Sequence, residues 1–326
     1  MSTASTDPLE RLEGSLVAAA PSKRMLIIVN PYATTVSDRL KNLVVYALQG
    51  RYEVDAIDTQ ARGHATELCK EAAREGYDVV VAFGGDGTVN EAANGLAGSD
   101  TPLSCLPGGR TNVYCRMLGI PTDVVDATEH LLRLADDWRP RRLDLAQVNE
   151  RHFVFSAGVG LDARVVECVD SHPRLKARYG EWYYTAVGIR TFTRRYVIRP
   201  AKMEVTVGAG TVRGVTTIVQ NGTPYTYFGD RPVNMGEGAT LESGDLAGVV
   251  LERASPIDIP TVIWRALSQR ARVARHRRVH AFTAMSGLSV RSVDGRPLPL
   301  QVDGDYIGEV HEARFGVTPR GIAVIA

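Results

Sequence analysis

The sequence predicts an α/β fold in which an N-terminal domain with a doubly wound parallel sheet precedes a mostly β, sandwich-like second domain, with a cleft between them. Three observations support this. Short apolar runs alternate with helical stretches from residue 23 to about residue 142, which is typical of a parallel sheet with helices on both faces. Beyond residue 142 the apolar segments are short, β-branched and separated by Gly, Pro and Asn, which indicates antiparallel strands. The length of 326 residues favours two domains.

The N-terminal domain opens with an apolar run that ends at Asn30-Pro31, because proline cannot lie in a central strand. The apolar runs predict three strands: Met25–Val29, Tyr52–Asp58 and Asp78–Phe83. Helical patterns predict four helices: Val36–Leu48, Gly63–Glu75, Val89–Ala97 and Val113–Leu118. Ligands of such sheets bind at the carboxyl ends of the strands, so the turns that follow the strands are candidate binding segments.

The second domain is predicted to contain short strands such as Phe153–Ser156, Lys202–Val207, Val215–Gln220, Gly248–Glu252 and Leu288–Val293. Two helical stretches interrupt them: Pro173–Arg195 and Ile257–Val279. We therefore expect a flexible tail at residues 1–22, the α/β domain at residues 23–142 and the mostly β domain at residues 143–326.

Composition excludes several classes of protein. There are 38 Lys and Arg against 37 Asp and Glu, so the net charge of +1 gives no field that marks a nucleic-acid-binding protein. The four cysteines show no paired or zinc-like spacing, which favours a reduced, intracellular protein. The longest apolar runs are far shorter than the ~20 residues of a membrane span. We expect a cytoplasmic protein with no nucleic acid among its partners.

The segment Gly84–Glu91 is the sharpest feature, because three glycines in four residues stand between a buried strand and a helix. Such a turn leaves backbone N–H groups bare, and with the helix N-terminus it forms a nest for anionic oxygens. Asp86 would repel a phosphate, so it requires a cation or a hydroxyl donor between them, whereas Thr88 offers a hydroxyl or caps the helix. An ordinary strand–turn–helix connection remains the alternative.

A second glycine-rich turn, Pro107–Asn112, also follows an apolar segment and precedes a predicted helix. Two such turns can lie side by side in a doubly wound sheet and together hold a polyphosphate, with Arg110 as a further phosphate ligand or a plain surface arginine. No Walker A loop, G-x-G-x-x-G helix opening or G-x-S-x-G elbow occurs in the sequence.

Six segments, in order along most of the chain, resemble the diacylglycerol kinase catalytic family of soluble lipid kinases, which also contains the sphingosine kinases. They are Ile28–Pro31, Thr59 with Gly63–Ala65, Gly84–Glu91 with Asn94–Leu96, Pro107–Pro121, Asp144 with Ser156–Ala163, and Val302–Asp305. The resemblance implies an NAD kinase/diacylglycerol kinase-like fold with a nucleotide-binding domain and a lipid-substrate domain.

The resemblance further implies an enzyme that transfers the γ-phosphate of ATP to the hydroxyl of diacylglycerol or a related lipid such as a sphingoid base. Carried over by position, the nucleotide-binding residues are Asn30, Pro31, Thr59, Gly84, Gly85, Asp86, Gly87, Thr88, Asn90, Glu91, Gly109, Arg110, Thr111 and Asn112. Asp86, and with it Asp144, is a candidate ligand of magnesium (Mg2+). Asp303 and Asp305 match the family's Asp-Gly-Glu, whose acidic pair deprotonates the lipid hydroxyl. The alternative is that Asp303-Gly-Asp305 is an ordinary hairpin turn without a catalytic role.

Three positions depart from the family pattern. Val113 stands where the second glycine turn has an acidic residue, and Asp305 stands for Glu. Glu242-Ser243-Gly244 replaces an Asp-Asp-Gly turn that can hold a metal, although Glu242 and Asp245 still offer oxygens. Two other functions therefore stay open: a nucleotide- or lipid-binding homologue without catalysis, and a small-molecule kinase of the NAD kinase or phosphofructokinase type, which also use a Gly-Gly-Asp-Gly loop.

A kinase of this type must reach its lipid at a membrane surface. The predicted helix Ile257–Val279 places Ile263, Leu267, Ala271 and Ala274 on one stripe, with six arginines between Arg265 and Arg278 on the other faces. A second patch, Arg174–Tyr184, mixes arginines with aromatic residues. We expect peripheral membrane contact through the Arg265–Arg278 segment, and the resemblance implies that a homodimer is common. The sequence does not identify the lipid.

Overall fold

The computed structural model describes residues 23–170, 202–268 and 270–326, and it confirms the predicted fold class. The tail at residues 1–22 and the predicted helix Pro173–Arg195, with its Arg174–Tyr184 patch, lie outside the described residues. No helix in the described ranges is long and apolar enough to cross a membrane. None of the four cysteines, all of which lie within the described residues, forms a disulfide.

The N-terminal domain has a parallel sheet of four strands: β1 (Lys23–Val29), β2 (Tyr52–Asp58), β3 (Val79–Gly84) and β4 (Leu103–Pro107). Its helices are α1 (Asp38–Leu48), α2 (His64–Glu75), α3 (Asp86–Leu96), α4 (Val113–Met117) and α5 (Val124–Leu134). Local signals begin and end these helices. Ser37 and Asp123 cap α1 and α5 with side-chain oxygens, and Gly76 ends α2 with a left-handed φ of 74°.

The strand order β2-β1-β3-β4 reverses direction between β1 and β3. The helices that connect the strands lie on opposite faces of the sheet on the two sides of this point. A crevice therefore opens at the carboxyl ends of β1 and β3. The two glycine turns follow β3 and β4, and Asn30 follows β1. The topology therefore brings these three sequence segments to one edge of the sheet.

The second domain contains mostly antiparallel strands. They are β5 (Arg141–Val148), β6 (Arg151–Phe153), β7 (Ser156–Gly160), β8 (Met203–Val207), β9 (Gly210–Gly214), β10 (Thr216–Gln220), β11 (Thr226–Phe228), β12 (Arg231–Val233), β13 (Leu246–Leu251), β14 (Val279–Met285), β15 (Gly287–Ser292), β16 (Leu298–Val302), β17 (Asp305–Val310) and β18 (Glu312–Val324). Helix α6 (Leu161–Asp170), helix α7 (Asp258–Leu267) and a 3-10 turn (Val273–Arg275) lie between them.

The strands of this domain form a sandwich. One layer is a six-stranded sheet with the order β14-β13-β10-β7-β16-β17, and the other contains β5, β6, β8, β9, β15 and β18. Apolar side chains of both layers, such as Val159, Val205, Leu300 and Phe315, fill the space between them. A further apolar cluster lies where α7 packs through Val262 and Ala266.

Strand β18 belongs to both domains. It pairs antiparallel with β5 and β15, and its end pairs in parallel with β4 through Val324 and Leu103. Ile322 and Ile325 are buried in the core of the N-terminal domain. One continuous ten-stranded sheet therefore runs from β2 to β9.

The predicted helix Ile257–Val279 is wrong beyond Leu267. Helix α7 ends there because Ser268 is extended, with ψ at 131°, and its hydroxyl accepts hydrogen bonds from the N–H groups of Arg270 and Ala271. The apolar stripe that was to continue through Ala271 and Ala274 does not form on one helix.

Two further differences from the predicted elements bear on the site. Helix α3 begins at Asp86, one turn earlier than predicted, so Asp86 and Gly87 belong to its first turn. The predicted strand Phe153–Ser156 is interrupted between β6 and β7, because the N–H groups of residues 154–156 turn toward the Asp303 carboxylate.

Candidate active site

The two glycine turns lie backbone against backbone, as the sequence predicted. Strands β3 and β4 pair so that Gly84 lies opposite Pro107, and the Gly108 N–H donates to the Gly84 carbonyl at 2.8 Å. A Cβ on Gly108 would lie 2.8 Å from the Gly84 Cα, and one on Gly109 would lie 2.9 Å from the Gly85 Cα. Only glycine permits this approach.

The start of α3 faces the same edge of the sheet. Gly85 is its N-cap, and the first N–H groups of a helix have no acceptor within the helix. Thr88 is buried, and its hydroxyl accepts a hydrogen bond from the Asn30 side chain at 3.2 Å, which joins the ends of β1 and β3. The positive end of a full-length helix thus opens between two glycine turns, an arrangement suited to anionic oxygens.

Asp86 links the two turns. Its carboxylate oxygens accept hydrogen bonds from the N–H groups of Val113 and Tyr114, each at 3.1 Å, so the side chain caps α4. Burial, with a smaller contribution from the nearby Asp303 and Asp305 carboxylates, raises the pKa of Asp86 to about 6 against the effect of those two hydrogen bonds. Each oxygen keeps a second lone pair for a ligand.

Asp303 is buried and saturated with donors. One oxygen accepts from the N–H groups of Phe155 and Ser156, both at 3.0 Å, and the other from the Val154 N–H at 2.8 Å and the Asn90 amide at 2.7 Å. Burial nevertheless raises its pKa to about 6. Four donors use the four lone pairs of a carboxylate, so Asp303 ties α3 to the β6–β7 connection.

Asp305 reaches the glycine turn from the other domain. Asp303 and Gly304 have positive φ values of 48° and 82°, which produce a tight left-handed turn between β16 and β17. The turn presses the Asp305 carboxylate onto α3, where a Cβ on Gly87 would lie 2.3 Å from its Oδ2. Residues that are distant in sequence therefore place Asp86, Asp303 and Asp305 in one cluster.

Asn90 and Glu91 lie beside this cluster but make structural contacts. The Asn90 amide donates to Asp303 and to the His152 carbonyl, and its oxygen accepts from Arg151. The Glu91 carboxylate accepts from the N–H groups of Gly63 and Ala65 at the start of α2. Asn90 thereby connects the domains, and Glu91 fixes the loop after β2.

The remaining predicted nucleotide-binding residues follow the strand ends. The Thr59 N–H donates to the Val29 carbonyl at 2.8 Å, and Pro31 is exposed after Asn30. Asn112 is buried with a φ of 46°, and its side-chain amide brackets Gly109 by donating to the carbonyl and accepting from the N–H. Arg110 is exposed and Thr111 half-buried at the tip of this turn.

The predicted metal ligands fall into separate places. The buried Asp144 carboxylate accepts from the Gly244 N–H at 2.5 Å and the Arg320 N–H at 2.9 Å. It therefore holds the Glu242–Asp245 turn against β18, and no contact among the described residues joins it to Asp86. Within the described ranges no three His, Cys, Asp or Glu residues are grouped to hold a metal ion.

The cluster nevertheless fits a magnesium ion that arrives with a nucleotide. Mg2+ retains several waters and binds one or two protein carboxylates together with substrate phosphates. Asp86 and Asp305 are the two carboxylates at the glycine turns, and their mutual repulsion adds a minor part to the effect of burial, which is the main cause of the raised pKa of Asp86. A cation between them would relieve this repulsion.

Four hydrogen bonds at and near the acidic turn were missed by the sequence reasoning. Asp162 accepts from the Tyr225 hydroxyl at 2.6 Å and from the Gln301 amide at 2.8 Å, and the Gln301 oxygen accepts from the Gly304 N–H. Arg62 donates to the Tyr306 carbonyl at 3.0 Å. Asp162 lies within the segment Ser156–Ala163 that carried the resemblance, and this was the only signal in the sequence.

The fold is that of a solved bacterial diacylglycerol kinase. The crystal structure of a diacylglycerol kinase from Bacillus anthracis strain Sterne superposes with a TM-score of 0.68 over 94% of this chain and 97% of that chain, at 19% sequence identity. At this identity the similarity shows the fold alone.

Residues 24–148 match the family model of the diacylglycerol kinase catalytic domain. It is 35% identical over 193 residues to the diacylglycerol kinase of Bacillus subtilis (strain 168), covering 56% of this chain and 59% of that relative. It is 25% identical over 292 residues to the diacylglycerol kinase of Staphylococcus saprophyticus, covering 88% of this chain and 90% of that relative. The resemblance stated from the motifs, and with it a lipid-kinase type of enzyme, is confirmed.

Proposed function

We propose that the protein is an ATP-dependent kinase that transfers the γ-phosphate of ATP to the hydroxyl of diacylglycerol or a related lipid such as a sphingoid base. The observation that carries the proposal is the position of Asp305, whose carboxylate lies against Gly87 beside Asp86. A carboxylate from the second domain thus stands at the turn where phosphates would bind. Phosphoryl transfer requires mainly such positioning and charge neutralisation.

The nucleotide phosphates would bind the two glycine turns. Gly85 and Gly109 let the two turns pack directly against each other, and the start of α3 supplies N–H groups and a positive dipole. Asn30 and Thr88 are hydrogen-bonded to each other at this edge, so their side chains are already oriented. Asn112 keeps the second turn in shape through its two bonds to Gly109.

Asp86, with Asp305 beside it, would hold the Mg2+ that accompanies ATP. The ion supplies neutralisation of the charge on the transferring phosphate. Asp86 serves this role well because its two hydrogen bonds from α4 fix the carboxylate while a lone pair on each oxygen stays available.

Asp305 is assigned as the group that accepts the proton of the lipid hydroxyl. Its neighbour Asp303 has all four lone pairs engaged by N–H donors, so it holds the turn in place and has no capacity left for a proton acceptor role without losing a bond. Asp305 begins β17 and is only half-buried, so it remains partly exposed to solvent. This divides the roles of the two residues that the resemblance treated as a pair.

The test is transfer of labelled γ-phosphate from ATP and Mg2+ into a mixed lipid extract, with NAD as a parallel acceptor. We expect a labelled lipid with the wild type, and none with Asp305→Asn or Asp86→Ala. Asp126→Asn is the matched control, because Asp126 is an exposed carboxylate on α5. Labelled NAD phosphate would assign a small-molecule kinase instead. ATP binding without any labelled product would support a non-catalytic homologue, with Val113→Asp as the variant to restore activity.

A further inference from the structure

Helix α7 is apolar on two opposite faces. Its inner face packs on the sandwich through Val262 and Ala266, which are 7% and 5% exposed. Three large apolar residues of its outer face and the N-cap residue Ile257 are exposed, and these four are here called the α7 outer face: Ile257 (74% exposed), Ile263 (52%), Trp264 (62%) and Leu267 (36%). At 100° per residue these four positions fall on one stripe of the helix, opposite the buried residues. A contiguous apolar patch of this kind marks an interaction surface.

The surroundings of the α7 outer face are strongly basic. Three of the arginines have carboxylate partners: Arg272 pairs with Glu237, Arg277 with Asp258 and Arg278 with Glu252. Four others, here called the arginine rim, pair with no carboxylate among the described residues: Arg231, Arg265, Arg270 and Arg275. The patch therefore has a net positive border.

A cleft of about 340 Å³ lies at the end of the helix, lined by Arg231, Pro232, Leu267, Ser268 and Arg270. Two arginines of the rim, Arg231 and Arg270, line it together with Leu267 of the α7 outer face. The hairpin of β11 and β12 extends the surface, because the Asn234 N–H donates to the Ala266 carbonyl and Phe228 is 38% exposed. Guanidinium forks bind phosphate oxygens well.

We infer that the α7 outer face and the arginine rim dock the protein onto the surface of an anionic phospholipid bilayer. Trp264 and the aliphatic side chains enter the interface between headgroups and acyl chains, where an indole ring is favoured. The rim arginines bind lipid phosphates, with the cleft taking one headgroup. Charge complementarity favours this partner over a second copy of the chain, because two positive borders would face each other in a symmetric dimer.

This surface replaces the continuous helix that the sequence predicted. Ser268 breaks the helix, and the Arg265 guanidinium donates to the Arg272 carbonyl, so the chain after Ser268 folds back along α7. The arginines then form a border around the apolar stripe instead of covering the rest of a single helix.

The experiment is sedimentation of the full-length protein with vesicles of phosphatidylcholine alone and with phosphatidylglycerol added. We expect binding to the anionic vesicles that weakens with salt. The double substitution Ile263→Ser and Trp264→Ser is expected to lower the affinity for anionic vesicles by more than about tenfold, because the loss of each apolar side chain from the interface alone weakens binding by about that factor. Tyr46→Ser is the matched control, because Tyr46 is 78% exposed on α1. Arg270→Glu with Arg275→Glu should remove the preference for anionic vesicles, whereas Arg39→Glu should not.

A spectroscopic signal tests the contact directly. Anionic vesicles should shift the tryptophan emission of the wild type to the blue, and Trp264→Phe should remove the shift while retaining binding. Equal binding of the serine double variant and the wild type would overturn the inference. So would a dimer that becomes monomeric in the double variant while vesicle binding is unchanged, because the face would then be a subunit contact.

The inference deepens the proposed function, and the activity experiment below rests on that function. The serine double variant should phosphorylate a short-chain, monomeric diacylglycerol as the wild type does and lose activity only on vesicles. Vesicle binding does not depend on turnover, so failure of the proposed kinase activity leaves the docking result readable. Loss of activity on the monomeric lipid as well would overturn the inference that α7 acts through docking.

Discussion

Replacing Asp303 by Ala should destabilise the protein strongly, because the carboxylate is the acceptor for four donors. The substitution leaves the N–H groups of residues 154–156 and one amide N–H of Asn90 without their acceptor. At about 2 kcal/mol for each buried donor left unpaired, the cost is about 8 kcal/mol.

One favourable effect offsets part of this cost. The pKa of Asp303 is raised from 3.8 to about 6, and about two pKa units correspond to about 3 kcal/mol of penalty for the charged form at neutral pH. Ala removes that charge, so the net loss is about 5 kcal/mol. Asp303→Asn keeps the oxygen that serves Phe155 and Ser156 and loses two bonds, so its net loss is about 1 kcal/mol on the same figures.

Urea unfolding, followed by circular dichroism and extrapolated to water, measures both losses. The Asn variant keeps the test open if the Ala variant fails to fold. Phosphate transfer measured in parallel should persist in Asp303→Asn and vanish in Asp305→Asn, whose stability should be close to that of the wild type. Ala and Asn variants of equal stability, or an Ala variant as stable as the wild type, would refute the assignment of Asp303 to structure.

Three other predictions address the same cluster. Gly87→Ala adds a Cβ 2.3 Å from the Asp305 carboxylate, so transfer should fall more than about tenfold while stability changes by less than about 1 kcal/mol, since Ala is the better helix residue. An unchanged kcat in Gly87→Ala would show that transfer does not require the Asp305 carboxylate to lie against residue 87. Because the pKa of Asp86 is raised in the folded protein, the contribution of this group to stability is fully present below its unfolded pKa. That contribution is lost as the pH rises through about 6. Asp86→Asn should therefore gain in Tm relative to the wild type between pH 5 and pH 7.5, whereas a difference independent of pH would contradict the assigned pKa. Gln301→Leu should destabilise by about 2 kcal/mol and lower kcat, because Asp162 and the Gly304 N–H both lose a buried partner. Unaltered kcat at reduced Tm would limit this chain of bonds to a structural role.

The strands and the glycine turns were predictable because their signals are local. Apolar runs such as those in Met25–Val29 and Asp78–Phe83 predict strands without any other information. The adjacency of the two glycine turns follows from the parallel pairing of neighbouring strands. Only the resemblance placed Asp305 and Gly87 in the same active site, because no local pattern connects a late hairpin turn with an early helix.

What the sequence could not show depends on distant backbone groups. The structural role of Asp303 requires the three N–H groups of residues 154–156, and that of Glu91 requires the start of α2. Helix α7 was overextended because the spacing of apolar and basic residues continues past Ser268, whereas a single hydroxyl bonded to the next N–H groups ends the helix. The periodicity of apolar residues does not show that a side-chain hydroxyl competes with the helix for backbone N–H groups.

The double membership of β18 has a consequence for how the chain acquires its structure during synthesis. Strand β4 emerges from the ribosome early, yet Val324 and the buried Ile322 and Ile325 that complete its side of the core emerge only after the whole second domain. The edge of β4 therefore waits with unpaired backbone groups, a state in which a strand is prone to pair with other chains. The first domain to be translated is the last to be finished.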